Sequence, residues 1–197
     1  QTMLFFTRKG RCYWLKCYEI PEGDKNFKGR AIQNMLNIEP DDSVNAMLRL
    51  RGLNDEEFVN SHYVVFATKN GTIKKTCLEA YSRPRTNGVN AINIVEGDEV
   101  VDVRLTNGKN EIILANRNGR AVRFDENTVR AMGRVSTGVR GMQLDGDDDQ
   151  VVGMIIVNDA ETETVMVVSE NGYGKRSQVE DYRKTNRGGK GVKTFSI

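Results

Sequence analysis

Basic residues recur shortly after a glycine in three stretches of the chain. Gly71, Gly119 and Gly172 are followed by Lys74 and Lys75, by Arg120 and Arg123, and by Lys175 and Arg176. In a first, related stretch, Tyr13 and Trp14 occupy the matching positions after Gly10. Lysine and arginine neutralise phosphates, and a regular series of them along a surface suits a polyanion such as nucleic acid. The spacing therefore predicts phosphate binding.

A second series of basic residues surrounds a second glycine in each repeat. Its members are Lys28 and Arg30, Arg83 and Arg85, Arg134 and Arg140, and Arg187 and Lys190. Acidic turns recur at a different phase, at residues 39–42, 96–99 and 145–149. In a rotational array of blades, residues at the same position of each repeat lie at the same height and the same distance from the axis. We therefore expect the basic residues to form one band and the acidic turns to collect elsewhere.

The net charge of +2 conceals a segregation of charge along the chain. Residues 175–193 include seven basic and two acidic residues, whereas residues 145–163 include seven acidic residues and no lysine or arginine. Such segregation can steer a polyanion to one surface. Alternatively, the basic and acidic stretches form two solvated faces that bind no partner. The longest apolar run, residues 151–157, is far too short to span a membrane.

No constellation of catalytic or metal-binding residues accompanies the basic series. The single histidine, His62, has no companions for a catalytic triad, and the segment around Lys175 lacks the glycine spacing of a phosphate loop. Residues 147–149 are three aspartates that could hold a metal, but they fill the repeated acidic turn, which favours a solvated turn. The three cysteines form no paired framework, which fits free thiols in a reducing cytoplasm. We expect no catalysis, metal or cofactor in this chain.

A repeated pattern of strands carries the basic series. Four stretches, beginning near residues 4, 64, 112 and 165, each combine an apolar run, a polar turn with glycine and a second short strand. Asn-Gly in three of these turns indicates β-hairpins, because both residues tolerate positive φ. The turn glycines are separated by 61, 48 and 53 residues, which is typical of propeller blades rather than of helical solenoids.

Together these patterns predict an all-β, propeller-like fold of about four blades in one domain. The repeat units span about residues 1–50, 62–106, 110–157 and 164–197, and the last unit is truncated. The nearly continuous apolar run at 151–157 is typical of a buried strand. Helical signal is weak, and we expect only short turns, at Glu19–Pro21 and Asp125–Met132.

The segment Arg187-Gly188-Gly189-Lys190-Gly191 resembles the last five residues of the gyrase A box, Gln-(Arg/Lys)-Arg-Gly-Gly-(Arg/Lys)-Gly. Thr185 and Asn186 stand where the full box has glutamine and a basic residue. Further stretches at residues 70–76, 129–133, 137–141 and 171–176 are similar to the same family, in the same order. The chain therefore resembles the C-terminal domain family of DNA gyrase A subunits over essentially its whole length.

The resemblance implies a β-pinwheel, a disc of blades that exchange strands and that binds, bends and chirally wraps duplex DNA. In that family, wrapping lets an A2B2 holoenzyme of gyrase A and gyrase B subunits introduce negative supercoils. ATP hydrolysis with Mg²⁺ belongs to the B subunit, and the DNA-cleaving tyrosine belongs to the N-terminal part of the A subunit. The resemblance further implies a bacterial, cytoplasmic, nucleoid-associated protein, of which this chain forms inner blades.

The two basic series and the resemblance give a set of predicted DNA contacts. They are Lys28, Arg30, Lys74, Lys75, Arg85, Arg120, Arg123, Arg140, Lys175, Arg176, Arg187 and Lys190. The box-like turn adds Gly188, Gly189 and Gly191, which either approach DNA or form a turn that needs positive φ. Substitution of one of the predicted cations is expected to weaken the binding of all DNA sequences alike.

Two alternatives stay open at this point. The first is the C-terminal domain of the A-type subunit of topoisomerase IV, which is similar but has a degraded box. The second is a propeller that binds a protein, since one fold supports many functions. A protein-binding propeller predicts an apolar or mixed rim, whereas the recurrence of basic residues at one phase favours DNA.

Overall fold

The computed structural model describes residues 1–195 and consists mainly of short antiparallel strands. The strands are β1 (Thr2–Thr7), β2 (Arg11–Lys16), β3 (Val44–Leu50), β4 (Tyr63–Thr68), β5 (Thr72–Cys77), β6 (Val89–Asn90), β7 (Val100–Thr106), β8 (Glu111–Asn116), β9 (Arg120–Asp125), β10 (Val139–Arg140), β11 (Val151–Val157), β12 (Thr164–Val168), β13 (Gly174–Gln178) and β14 (Val192–Lys193). The helical elements are α1 (Glu56–Ser61) and 3-10 turns at Cys17–Glu19, Ile32–Asn34, Leu78–Tyr81, Glu126–Thr128 and Val179–Asp181.

Each four-stranded sheet takes its outer strand from the next unit along the chain. The orders are β3-β1-β2-β6, β10-β5-β4-β7 and β11-β8-β9-β14, and β12 pairs with β13. The exchanged strands β6, β10 and β14 are antiparallel to β2, β5 and β9, through the pairs Val89 with Cys12, Val139 with Ile73, and Val192 with Ala121. The predicted all-β pinwheel, including strand exchange between blades, is confirmed.

The inner strands of the second and third sheets are buried on both faces because these two blades each pack between two others. Along β4, Val64 and Phe66 belong to the core cluster shared with the first blade, whereas Val65 and Ala67 belong to the cluster shared with the third. Alternate residues of a strand point to opposite faces, which explains why β4, between two blades, is a continuous apolar run. The strands β3, β7 and β11 contact one another on the inner side, and the exchanged strands lie at the opposite edges of their sheets.

The hairpins differ in one respect from the expectation of positive φ at both turn residues. In the second unit, Gly71 has φ +90°, and its amide donates to the Thr68 carbonyl at 3.1 Å. Within residues 1–195, positive φ occurs at glycine alone, so Asn70 does not adopt it. The hairpin therefore uses a turn closed by a single left-handed glycine, which only a residue without Cβ adopts readily.

One aspartate of each acidic turn fixes the neighbouring hairpin. Asp42, Asp98 and Asp149 each accept a hydrogen bond from the backbone amide just before the hairpin glycine, at 3.1, 2.9 and 3.3 Å. Asp149 is buried and also accepts from the Asn116 side chain at 2.7 Å. The expectation of a solvated turn is wrong for Asp149, because its carboxylate serves as an internal acceptor.

The helix α1 was not among the expected turns. Asp55 caps it by accepting from the Phe58 amide at 3.2 Å, and Glu56 and Glu57 lie in its first turn, where the helix dipole favours acidic residues. This run of three acidic residues was the available signal for a helix start. None of the helices within the described part of the chain is long and apolar enough to cross a membrane.

Candidate nucleic-acid interface

The segments that lead into the exchanged strands lie side by side along one edge of the molecule. We call residues 85–93, 134–143 and 185–193 the three arms, and their series the arm row. The Asn93 amide of the first arm donates to the Ser136 carbonyl of the second at 3.1 Å. The Gly188 amide of the third arm donates to the Gly141 carbonyl at 2.8 Å. Backbone hydrogen bonds therefore join the three arms into one continuous surface.

A glycine at the start of each exchanged strand lets the arm lie directly against its host blade. At Gly138 (φ +107°) and Gly191 (φ +76°), a Cβ would lie 2.5 Å from the Ile73 carbonyl oxygen and 2.2 Å from that of Ala121. Both distances are far below a van der Waals contact, so no other residue fits. The box-like turn thus has a structural reason for Gly191, and Gly188 also adopts positive φ, at +88°.

The box-like turn does not require all three of its glycines. Gly189 lies in open space and does not adopt positive φ. The alternative of a turn that needs positive φ is therefore wrong for this residue. Its carbonyl nevertheless accepts from the Gln143 amide at 2.9 Å, which any residue at this position could provide.

The arms carry several of the predicted cations that are accessible to a ligand. Arg85 and Arg140 are exposed on the first and second arms, and Lys190 is exposed on the third. Arg187 is half-buried, because its guanidinium donates to the Thr128 carbonyl at 2.9 Å and to the Arg140 carbonyl at 3.0 Å. Those hydrogen bonds hold the third arm against the second, so Arg187 positions the row as well as contributing charge.

Two further predicted cations are exposed in the first unit. Lys28 and Arg30 lie in an exposed segment before the 3-10 turn at Ile32–Asn34. The side chain of Asn37 donates to the side chain of Asn87 in the first arm at 3.3 Å. This contact joins the first unit to the first arm at Asn37, beyond the turn that follows Lys28 and Arg30.

Three predicted DNA contacts are wrong because their side chains are buried between blades. Lys74, Lys75 and Arg123 are 0%, 4% and 6% exposed. A buried cation cannot reach a phosphate without leaving its partners, and unpaired burial of a charge is costly. The series after the hairpin glycine therefore does not form the expected band in the second and third blades.

Lys74 lies in a pocket of neutral oxygen atoms rather than beside a carboxylate. Its ammonium donates to the Ala91 carbonyl at 2.5 Å and to the Arg134 carbonyl, and it lies 5.0 Å from the centre of the Phe66 ring. Burial, with a smaller effect from the Arg134 charge, lowers the pKa of Lys74 from 10.5 to about 7. Lys74 thus ties the second blade to the first two arms.

Lys75 forms an ion pair that joins consecutive blades, and Arg123 combines an ion pair within its own blade with a hydrogen bond to the next. The Lys75 ammonium lies 3.2 Å from the Glu126 carboxylate, which is itself fully buried. The Arg123 guanidinium donates to the Glu111 carboxylate at 2.5 Å and to the Tyr182 carbonyl at 3.0 Å. Burial alone would raise the pKa of Glu111, but hydrogen bonds from Arg123 and Lys184 outweigh it and lower that pKa.

Trp14 shows what this repeated position requires. Its indole N–H donates to the Tyr81 carbonyl at 2.9 Å, in the 3-10 turn of the next blade, as Arg123 donates to the Tyr182 carbonyl. The position therefore requires an N–H donor that reaches the following blade, and it does not require a charge. The presence of tryptophan among lysine and arginine was the signal in the sequence that a structural role governs this position.

The remaining predicted contacts fall into two groups. Lys175 and Arg176 are exposed on β13. Arg120 is half-buried, and its guanidinium donates to the Gly191 carbonyl at 3.2 Å and lies 3.3 Å from the Asp145 carboxylate. The same carboxylate lies 3.2 Å from the Lys190 ammonium. The expectation that acidic turns collect away from the basic band is wrong at Asp145, which the sequence did not place in the site.

The array of sheets that exchange their outer strands, with a basic row of arms at their edge, defines a β-pinwheel with a candidate polyanion surface. The chain belongs to the family described as DNA gyrase C-terminal domain, beta-propeller, whose model matches residues 1–51, 62–107, 110–158 and 163–197.

Curated relatives support this membership across the whole chain. The DNA gyrase A subunit of Staphylococcus epidermidis is 44% identical over 195 residues, and that of Staphylococcus aureus (strain MRSA252) is 43% identical over the same length. Each alignment covers 99% of this chain but 21% of the relative. The chain thus spans about a fifth of the length of the relatives it matches.

Solved structures give the same fold. The C-terminal domain of DNA topoisomerase IV superposes with a TM-score of 0.84 at 30% identity, covering 98% of this chain and 58% of that one. The DNA gyrase A C-terminal domain superposes with a TM-score of 0.80 at 24% identity, covering 97% of this chain and 59% of that one.

Proposed function

We propose that this chain binds duplex DNA along the arm row, through backbone phosphates and without reading bases. The observation that carries the proposal is the continuity of the row. Each arm is hydrogen-bonded to the next and presents at least one accessible cation, Arg85, Arg140 or Lys190. A chain of positive charge on a rigid backbone surface fits a polyanion with regularly spaced phosphates.

The shape of the row supports bending rather than straight binding. The sheets contact one another through β3, β7 and β11, so the arms at their far edges lie on the outer side of a fan. DNA that follows such an edge must curve, which costs several kcal/mol in elastic estimates. Phosphate contacts from successive arms offset that cost. The specific proposal is therefore chiral wrapping of duplex DNA around the pinwheel.

We further propose that the chain acts as part of bacterial DNA gyrase, where wrapping would enable ATP-dependent negative supercoiling. The 43–44% identity to the DNA gyrase A proteins of two staphylococci over 195 residues supports this assignment. In this proposal, the rest of the A subunit holds the DNA-cleaving tyrosine. The B subunit of an A2B2 holoenzyme uses ATP and Mg²⁺, in the cytoplasm at the nucleoid.

The first test is the salt dependence of affinity for linear duplex DNA, with random-sequence duplex as competitor. Contacts with several phosphates predict a steep linear fall of log K with log salt, of about 0.9 per phosphate, and little sequence preference. Undetectable binding at about 50 mM salt, where phosphate contacts are strong, would contradict the proposal and favour a propeller that binds a protein. A strong preference for one sequence would contradict backbone recognition.

The TM-score of 0.84 with the topoisomerase IV domain provides a second candidate, the A-type subunit of that enzyme. A topology assay separates the two. Nicked plasmid is saturated with the chain and ligated, and the linking number is read after the protein is removed. Chiral wrapping shifts the linking number with a fixed sign in proportion to the protein bound. Binding without such a shift would favour the topoisomerase IV candidate over the gyrase candidate.

A further inference from the structure

One acidic side chain lies within the basic arm row and contacts two of its cations. The carboxylate of Asp145 lies 3.3 Å from Nε of Arg120 through one oxygen and 3.2 Å from Nζ of Lys190 through the other. The side chains of Arg120, Lys190 and Asp145 are 40%, 57% and 30% exposed, so all three are accessible to solvent. A carboxylate bridging two cations occupies the place that a phosphate group would take between them.

The position of Asp145 is fixed by the turn that contains it. Its amide donates to the Asp149 carboxylate at 3.0 Å, and Asp149 is itself buried and bound to the Asn116 side chain. Asp145 is therefore held next to the arm by a buried anchor. A freely moving side chain would release the two cations at little cost. The Asp145 carboxylate instead remains nearby when a phosphate binds these cations.

The matching position in the first unit lacks such a carboxylate. Arg11 pairs with Asn90 in the strand ladder as Arg120 pairs with Lys193, so the two arginines are equivalent. Arg11 donates to the side-chain oxygen of Asn90 at 3.0 Å and to the Asn87 carbonyl at 2.6 Å, both of which are neutral. Within the described residues, the arginine at this repeated position therefore faces a carboxylate in the third unit, next to the box-like turn. In the first unit it faces neutral oxygen atoms.

We propose that Asp145 is a built-in phosphate surrogate that weakens DNA binding at the third arm until a phosphate displaces it. This inference rests on the proposed function. Exposed ion pairs of this kind are weak, so a phosphate competes for Arg120 and Lys190 and then faces the repelled carboxylate. Asp145 would therefore let DNA dissociate readily from the third arm. Arg85 and Arg140, on the other arms, bind DNA without competition from a carboxylate.

The test compares Asp145→Asn with Asp148→Asn, which removes the same charge from an exposed residue of the same turn. We expect Asp145→Asn to bind random-sequence duplex about tenfold more tightly than Asp148→Asn at about 100 mM salt, with a salt slope steeper by about one. In the Arg120→Ala, Lys190→Ala background, the advantage of Asp145→Asn over Asp148→Asn should disappear.

The outcomes separate this inference from the proposed function. Equal affinity and slope for Asp145→Asn and Asp148→Asn, with the unsubstituted chain binding DNA, overturn the surrogate and leave DNA binding intact. Binding by Asp145→Asn alone would contradict the proposed function of the unsubstituted chain and a surrogate that a phosphate displaces. No binding by any variant overturns both. A gain that persists in the Arg120→Ala, Lys190→Ala background also overturns the inference.

Discussion

At the level of single residues, lysines of different repeat units have opposite environments. Lys74 is buried among carbonyl oxygens and an aromatic ring, whereas Lys190 is exposed and paired only with Asp145. Residue type alone does not distinguish them, because each is a lysine next to a glycine-containing turn. The difference arises because the inner strand β5 faces a blade on either side, whereas the arm has an open face.

The lowered pKa of Lys74 predicts a specific pH dependence of stability. Its pKa is about 7 in the folded chain against an ordinary 10.5, so between these values the unfolded state binds more protons. Stability should therefore rise with pH, by roughly up to 1.4 kcal/mol per pH unit. Denaturant unfolding between about pH 7 and 8.5, within that window, measures this slope. Burial raises the pKa values of Tyr81 and Cys12 in the folded chain. The unfolded Cys12 thiol begins to ionise toward about pH 8.5, so at the top of this range it lowers stability and opposes the Lys74 slope.

A pair of variants isolates the contribution of Lys74. Lys74→Met should lose most of the pH slope, because methionine fills a similar volume without an ionisable group. Lys109→Met, at an exposed position, should keep it. A slope that survives in Lys74→Met would show that another group causes it.

The inter-blade donor at Trp14 gives a second prediction at this scale. Trp14→Phe keeps an apolar ring but leaves the Tyr81 carbonyl without its indole donor, so we expect a loss of about 1–3 kcal/mol. Chemical denaturation measures the loss. Tyr18→Phe removes a polar group from a side chain that is 85% exposed and should change stability by less than about 0.5 kcal/mol. Equal effects of the two substitutions would contradict an inter-blade role for Trp14.

At the level of elements, the exchanged strands are very short and depend on their glycines. The strand β14 has two residues, and the chain enters it through Gly191, which lies against the Ala121 carbonyl. Its pairing with β9 is confined to two residue pairs. The close approach permitted by glycine therefore decides whether β14 stays paired with β9.

The glycines of the box-like turn provide a matched pair for testing this dependence. Gly191→Ala should break the pairing of β14 with β9, because its Cβ would lie 2.2 Å from the Ala121 carbonyl oxygen and its φ is +76°. Gly189→Ala should be nearly neutral, since nothing lies within 4 Å of its Cβ. Amide hydrogen exchange at Val192 and Lys193 measures attachment. Unchanged protection in Gly191→Ala would mean that the backbone accommodates the methyl group.

The strands could be predicted from the sequence more fully than the directions of their side chains. Apolar runs and turn glycines were sufficient for the hairpins, because hydrophobic periodicity and glycine φ are local properties. The burial of Lys75 and Arg123 was not predictable in this way. Their partners, Glu126 and Tyr182, lie 51 and 59 residues further along the chain and are brought close only by the stacking of blades.

At the level of the whole molecule, the affinity of the proposed interface for DNA is the sum of contributions from separate arms. Arg85 and Arg140 lie on different arms, so their contributions to DNA binding should be independent. Arg85→Ala and Arg140→Ala should each reduce the salt slope by about 0.9, and the double variant by about twice that, on every DNA sequence alike. Lys109→Ala, outside the arm row, should leave the slope unchanged. Losses that depend on DNA sequence would contradict backbone binding.

The site itself could be predicted only in part. The second basic series gave the exposed cations Arg85, Arg140 and Lys190, because the arms recur with one sequence pattern. The contact of Asp145 with Arg120 and Lys190 was missed, since it depends on how the acidic turn of one unit meets the arm of the next. Such contacts between repeats follow from the packing angle of the blades, which a one-dimensional pattern does not contain.

The exchange of strands between units also sets the order in which the chain can fold during synthesis on the ribosome. The edge of β2 is completed by residues 89 and 90, that of β5 by 139 and 140, and that of β9 by 192 and 193. Each nascent blade must therefore wait for its successor to emerge, with one strand edge open to chance pairing meanwhile. Translation pauses after an arm has emerged from the ribosome would protect the growing polypeptide, whereas pauses before it has emerged would expose the open edge to aggregation.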